Sequence, residues 1–378
     1  MKRAPTAGLF LILVAGLAGA AATAVHLGLP EPSGSYPVGR TSMTWADPSR
    51  PETHTEDPSD TREVLATIWF PAEEGTGSGS EYIETAEGLV SSGEISRPAA
   101  AALRFVRDPA RPGAKVSSDR ETYPVVIFSP GNATNAGFYA SIVEDLASHG
   151  YIVVGIDHPY QVAAVKLAGG EVAVYDKAAE RSPAAGKIRE RVADIRLALD
   201  RLVELNAAGE SVGASLDLSR VGIMGHSNGG IAAVEACRAD ARLSACMNID
   251  GQLAGGPFSY EEQAGPPEQP FMYLTKEPEI HPVLAERFEA GGPGTFRVVV
   301  PAAAHDHFGD GALFKPTFNP FARTSDNVIE VARGFSRAFF DHTLQGEPVG
   351  VLGKLAAPTD VFVNVYPLAG KPQLPNSS

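Results

Sequence analysis

Residues 220–230 read RVGIMGHSNGG, and the fold turns on how this stretch is parsed. An apolar run from Val221 to Met224 precedes Gly225-His226-Ser227-Asn228-Gly229, and a helical pattern follows. This is a G-x-S-x-G set between a strand and a helix. That context predicts a sharp turn with Ser227 held in a strained conformation and its hydroxyl exposed at the sheet edge. Glycines two residues to either side are needed because larger side chains would clash there. The helix that follows aims its N-terminus at the reacting centre, where negative charge develops. The competing reading is an ordinary Gly-rich turn; a readable strand before it and helix after it favour a nucleophile.

Outward from the turn, the chain from residue 123 alternates short apolar runs with amphipathic helices. YPVVIFSPG (123–131), YIVVGIDHPY (151–160), ACMNIDG (245–251), PFMYLTKE (270–277) and FRVVVPAAAH (296–305) read as buried strands. NAGFYASIVEDLASHG (135–150) reads as a helix closed by Gly150 at the C′ position. In 188–206, Val192, Ile195, Leu199, Leu202 and Leu205 fall on one helical side, and NVIEVARGFSRAFFDHTL (327–344) is a closing helix. Apolar strands separated by helices mean a mostly parallel sheet covered on both faces: one doubly wound α/β domain over 30–378. Ahead of it, REVLATIWFPAE (62–73) reads as a strand, and SYPVGRTSMTW (35–45) as one short β-like piece in a solvated lead-in. Segment 161–187 is too long for an ordinary crossover loop and is a candidate cap over a site.

The bulk numbers narrow the class. A hydrophobic share of 44% fits a soluble globular chain, and a formal net charge of -14 repels phosphate backbones, so no nucleic-acid partner is expected. Two cysteines, Cys237 and Cys246, exclude a multi-cysteine zinc site; they form either one disulfide or two small buried apolar residues. At the N-terminus Lys2 and Arg3 precede an apolar run from Ala7 to Val25, with small-residue cleavage sites at Ala18-Gly19-Ala20 and Ala22-Thr23-Ala24. Residues 1–29 therefore read as an export signal, with an uncleaved membrane anchor as the alternative. Either places the remainder outside the cytoplasm, secreted or anchored.

A serine hydroxyl needs a base, and in a strand–turn–helix site of this kind the chain order is serine, acid, histidine. His305, directly after an apolar strand in PAAAHDHFGD (301–310), supplies the base, with His307 as its competitor. Strands ending in Asp250 and in Glu277 or Glu279 both qualify for the acid. Locally, Asp250 is favoured modestly, because a carboxylate at the end of an apolar run is costly unless used or paired. Two N–H donors are required for the oxyanion; Asn228 follows the nucleophile, and Asn132 lies in the FSPGNATN loop, where Gly131 permits close approach.

From about residue 36 to 345 the chain resembles the α/β-hydrolases of the plasma-type platelet-activating-factor acetylhydrolase group. The resemblance is carried by YPVG, IWFPAE, VVIFSPG, YASIVEDLASHGYIVVGIDH, GHSNGG, NIDG and HDHF. LASHGY and GHSxGG are shared with dienelactone-hydrolase-like and polyester-hydrolase enzymes; an acid directly after the strand that follows the nucleophile helix is more particular to the acetylhydrolases. The resemblance thus implies Asp250 over Glu279, a triad of Ser227, Asp250 and His305, oxyanion donors at Asn132 and Asn228, and no cofactor or metal. It implies hydrolysis of short acyl esters, with the sn-2 acetyl group of a phospholipid as candidate substrate and association with a lipid surface. The alternative is a polyester, cutinase-like or dienelactone-hydrolase-like carboxylesterase. Two departures, SPGN in place of a Ser-His-Gly-Leu-type turn and Asn228 in place of an aromatic residue, alter the wall near the acyl group.

Rivals remain. If the HDH stretch were a strand, His305 and His307 would project to one side as two metal ligands, with Asp306 and Asp310 assisting. No third histidine lies close in sequence, and zinc sites usually take three or more protein ligands. His158, at the end of a parallel strand, either lines the pocket or is a satisfied loop histidine. A non-catalytic binding protein on the same scaffold would lack the serine or the histidine, and both are present.

Overall fold

The computed structural model describes residues 28–79, 82–83, 86–93, 95–178, 184–253, 267–277, 294–301, 303–313, 326–349 and 362–366, with single residues at 279, 282 and 285. The apolar run Ala7–Val25 and its signal reading lie outside them. Among the described residues no helix is long and apolar enough to cross a membrane.

Twelve strands are described. β1 (Val38–Pro51), β2 (Thr61–Pro71) and β3 (Arg111–Pro112) come first, then β4 (Tyr123–Ser129) and β5 (Ile152–Asp157). A ribbon of β6 (Ala164–Lys166) and β7 (Val172–Val174) stands apart. β8 (Leu216–His226), β9 (Leu243–Ile249), β10 (Phe271–Thr275), β11 (Thr295–Val299) and β12 (Phe362–Tyr366) complete the set. Ten of them form one sheet in the order β12-β11-β10-β9-β8-β4-β5-β2-β1-β3. β5, β4, β8, β9, β10 and β11 are mutually parallel, while β2 and β12 run antiparallel to their neighbours in this block. This is the expected α/β-hydrolase architecture.

The helices are α1 (Ala86–Ser92), α2 (Arg97–Leu103), α3 (Ala140–Ser148), α4 (Ala184–Ala208), α5 (Asn228–Ala239) and α6 (Asp326–Gln345). In β4, Val125 and Ile127 join the core under α4 and α5, with Ile195, Leu199, Leu202 and Ile231. Its alternate residues, Val126 and Phe128, join the core under α3 and α6, with Ile142, Leu146, Phe335 and Phe339. A strand covered on both faces must be apolar at every position, which is why β4 reads as a continuous run. Burying each large side chain contributes roughly 1.5–3 kcal/mol. All five residues of the predicted α4 stripe belong to or pack against the first core.

The order of the parallel strands places the site. The chain steps from β4 outward to β5, then returns through α4 to β8 on the other side of β4. Strand order reverses there, so the loops after β4 and β8 diverge and leave a crevice at their carboxyl ends. Ser129 ends β4 and Ser227 follows β8, at the two lips of that crevice.

Three details depart from expectation. β1 is a full 14-residue strand paired to β2, not a short piece; its Asp47, Pro48 and Pro51 read as loop in sequence, but near a sheet edge a proline costs little. β11 stops at Val299, and His305–Phe308 is a 3₁₀ turn rather than strand continuation. Segment 161–187 holds the β6–β7 ribbon, which packs against α1. Cys237 on α5 and Cys246 on β9 form a disulfide.

Candidate active site

Ser227 adopts φ 56° and ψ −125°, a conformation L-residues rarely occupy. Its N–H donates to Ile249 O (2.9 Å) and its carbonyl accepts from Ile231 N (3.1 Å), so β9 and α5 together hold the turn. A Cβ on Gly225 would lie 2.4 Å from the Gly229 carbonyl carbon, and one on Gly229 would lie 2.0 Å from Ser129 O. Both glycines are thus required by close backbone approach.

His305 Nε2 stands 3.0 Å from Ser227 Oγ, and its Nδ1 donates to Asp250 Oδ2 at 2.7 Å. Asp250 Oδ1 accepts from the Lys276 backbone N–H (3.0 Å) and from Thr275 Oγ (3.1 Å). Burial pushes the Asp250 carboxyl up, but the bonds from His305 and Lys276 outweigh it and hold its pKa below the usual range. An ionised Asp250 keeps the proton on His305 Nδ1, which leaves Nε2 free to accept from the serine hydroxyl.

The competing residues sit elsewhere. Glu279 is exposed, and Glu277 pairs with the Lys276 ammonium. His307 is buried, and its Nδ1 accepts the Ala304 N–H at 3.2 Å, closing the turn that His305 opens. A 3₁₀ turn, unlike a strand, does not present residues two apart to one side, which removes the premise of the two-histidine metal reading. Among the described residues, no three His, Cys, Asp or Glu side chains gather as a metal site.

His158 does not line the crevice; it is fully buried beneath it. Its Nδ1 donates to Asp194 Oδ2 (2.9 Å) and its Nε2 faces Ser129 Oγ (3.0 Å). The molecule therefore holds a second Ser-His-Asp chain, Ser129–His158–Asp194, with no solvent exposure at any member. Burial, with the nearby Arg191 charge, lowers the His158 pKa to about 4. Burial alone would raise Asp194, yet the Arg62 charge and the His158 bond hold it far below the usual carboxylate range.

The oxyanion candidates flank Ser227. Asn228 opens α5, so its N–H is one of the first-turn donors without an intrahelical acceptor. Among the described residues the Asn132 N–H has no acceptor, while the neighbouring Ala133 N–H donates to Gln161 O at 2.9 Å. Sequence reasoning missed the support beneath them. Gly131 N–H donates to Tyr139 Oη (3.4 Å), Tyr139 donates to His226 Nδ1 (2.8 Å), and His226 Nε2 donates to His305 O (2.9 Å). Burial, then the His305 charge, lowers the His226 pKa to about 3, which keeps this relay neutral.

Two compartments meet at Ser227. One, of about 430 Å³, has apolar walls from Leu89 and Ile95 near α1 and from Phe138 and Ala312. The other, of about 340 Å³, presents Gln252, Tyr273, Lys276 and Glu277. The arrangement has what acyl transfer needs: a poised hydroxyl, a base oriented by a carboxylate, free N–H donors and room on both sides.

The family model for platelet-activating factor acetylhydrolase, isoform II, matches residues 21–274. That span carries Ser227 and Asp250 and stops short of His305. A probable 1-alkyl-2-acetylglycerophosphocholine esterase of Arthroderma benhamiae is 28% identical over 60% of this chain and 59% of its own length. A platelet-activating factor acetylhydrolase of Cavia porcellus is 26% identical over 67% of this chain and 61% of its own. The chain thus matches about three fifths of the length of these curated relatives. Among solved structures, a ferulic acid esterase from Streptomyces cinnamoneus superposes with a TM-score of 0.74 at 26% identity. It covers 90% of this chain and 99% of the other.

Proposed function

Since the chain belongs to the platelet-activating factor acetylhydrolase, isoform II, family, we propose that it is an exported serine carboxylesterase acting on short acyl esters. Ser227 Oγ attacks the ester carbonyl as His305 Nε2 takes its proton. Asp250 stabilises the imidazolium, and the N–H groups of Asn132 and Asn228 hold the tetrahedral oxyanion. His305 then protonates the departing alcohol, and water, activated by the same histidine, cleaves the acyl-enzyme. No cofactor enters the scheme. The observation that carries it is the chain Ser227–His305–Asp250, bonded at 3.0 and 2.7 Å beside a cavity.

The substrate follows the relatives: an ester of a small acyl group, with the sn-2 acetyl of a platelet-activating-factor-like phospholipid as the first candidate. Export is supported by the apolar N-terminal run and by a disulfide, which persists in oxidising compartments. A second reading, an ester with a bulkier acid part, is favoured by the 430 Å³ apolar compartment and by the likeness to a ferulic acid esterase over its whole length. One acyl-length series of p-nitrophenyl esters, run with and without a short-acyl phospholipid, separates the two. Ser227→Ala is the control, and unchanged turnover in it would sink the catalytic scheme.

A further inference from the structure

The backbone of residues 130–132 has one donor left over, and the structure shows why. Arg191, fully buried on α4, donates through Nη1 to Pro130 O (2.6 Å) and Ser129 Oγ (3.4 Å). Its Nη2 donates to Asn132 Oδ1 (3.1 Å) and, at longer range, to Gly131 O (3.5 Å), while Nε donates to Gln161 Oε1 (2.8 Å). The remaining carbonyl, Asn132 O, accepts from Thr134 Oγ (3.1 Å). On the donor side, Gly131 N–H goes to Tyr139 and Ala133 N–H to Gln161 O. Pro130 has no N–H. Every polar backbone group of the loop thereby has a partner, except the Asn132 N–H.

We propose that Arg191 is the positioning residue of the oxyanion loop: its guanidinium fork takes the loop's acceptors on the buried side and so turns the Asn132 N–H toward Ser227. This rests on the esterase reading given above. A planar fork with five fixed donors meets this task, where a lysine ammonium, a single point with three rotatable donors, does not. The fork is itself fixed: Gln161 holds Nε, and Ser129 is anchored through His158 to Asp194, which Arg62 grips through Nε and Nη2. On this view the buried Ser129–His158–Asp194 chain is a strut, and the loop is shaped before substrate arrives.

The test compares full-length Arg191→Lys and Gln161→Leu with the parent on p-nitrophenyl acetate. Arg191→Lys keeps the buried charge and loses the fork; kcat is expected to fall about 10²-fold, the scale of losing one oxyanion donor, with KM within about threefold. Affinity for a trifluoromethyl ketone, which forms a tetrahedral oxyanion on the serine, falls in step with kcat/KM, whereas acetate, a product competitor, binds as before. Of the Arg191 donors, Gln161→Leu frees only Nε; it also removes the Gln161 amide bonds to Glu190 and Lys187 O, and it leaves the Gln161 backbone carbonyl in place. It is expected to lower kcat about tenfold, and it carries the test if Arg191→Lys does not fold. A kcat within threefold of the parent in the folded variants overturns the proposal, as does a loss confined to KM with ketone affinity unchanged. Parent turnover that survives Ser227→Ala instead overturns the esterase reading on which it rests.

Discussion

Ser227 is held where its backbone is least comfortable. A non-glycine residue at φ 56° costs on the order of 1–3 kcal/mol, which the bonds to Ile249 and Ile231 and the packing of Gly225 and Gly229 offset. Asp250 shares the trait at φ 50°, so two of the three triad candidates sit on strained backbone at adjacent strand ends. The two histidines of HDHF divide by role. His305→Ala removes the only base within reach of Ser227 Oγ among the described residues, and kcat on a p-nitrophenyl ester is expected to fall by several orders of magnitude. His307→Ala removes a turn-closing bond and should cost about 1 kcal/mol in urea denaturation, with kcat within tenfold. Equal kcat losses in the two variants would contradict this division. The turn around Ser227 was legible because G-x-S-x-G constrains backbone, and backbone constraint is written in glycine positions. Local sequence favours Asp250 over Glu279 only modestly, because the groups that hold the Asp250 carboxylate, the Lys276 N–H and the Thr275 hydroxyl, come from a neighbouring strand.

Elements were readable where one periodicity ruled and unreadable where two demands met in one segment. Helix α4 showed its apolar stripe plainly, yet Arg191 and Asp194 lie along the same buried face as Ile188 and Ile195. Their spacing was visible in IRERVADI; their burial was not, because a charged residue in a helix is ordinarily solvated. The partners that make such burial affordable, Pro130 O for Arg191 and Arg62 for Asp194, are 61 and 132 residues away. Val300 and Ala303 prolong the apolar run of β11 in sequence, yet Pro301 between them, which cannot donate to a ladder, is the local mark of its end. At this scale the disulfide ties helix α5, whose N-terminus carries Ser227, to strand β9, whose end carries Asp250. The Cys237→Ala/Cys246→Ala pair is expected to lose about 2–3 kcal/mol of stability, as is the reduced parent. Titration of the unfolded, unreduced parent with a thiol reagent should find no free thiol.

Across the molecule, buried Asp310 and two buried histidines pull stability in opposite directions with pH. His226 and His158, neutral in the fold, contribute stability that is full above about pH 6.5 and is lost as pH falls toward their folded values of about 3 and 4. Asp310 does the reverse. It caps α3 by accepting from Ser141 N–H (3.3 Å) and takes the Tyr82 hydroxyl (3.0 Å); burial raises its pKa to about 7. The folded state then binds more protons than the unfolded between about pH 4 and 7, so its contribution falls as pH rises through that window. Relative to Asp310→Asn, the parent should lose up to about 1.4 kcal/mol per pH unit there, read from urea midpoints at pH 5, 6 and 7. Parallel profiles would rule the assignment out. Finally, two Ser-His-Asp chains share one molecule, and access and charge both separate them: the His305 side chain is 48% exposed and the His158 side chain 0%, while Arg191 and Arg62 bond Ser129 and Asp194 of the buried chain. A fluorophosphonate in excess should therefore stop at one phosphonyl group per chain, and peptide mapping should find it on Ser227 with Ser129 untouched. The buried chain then serves as an internal reference that stays unlabelled while a covalent inhibitor takes the exposed one, because no member of it meets solvent.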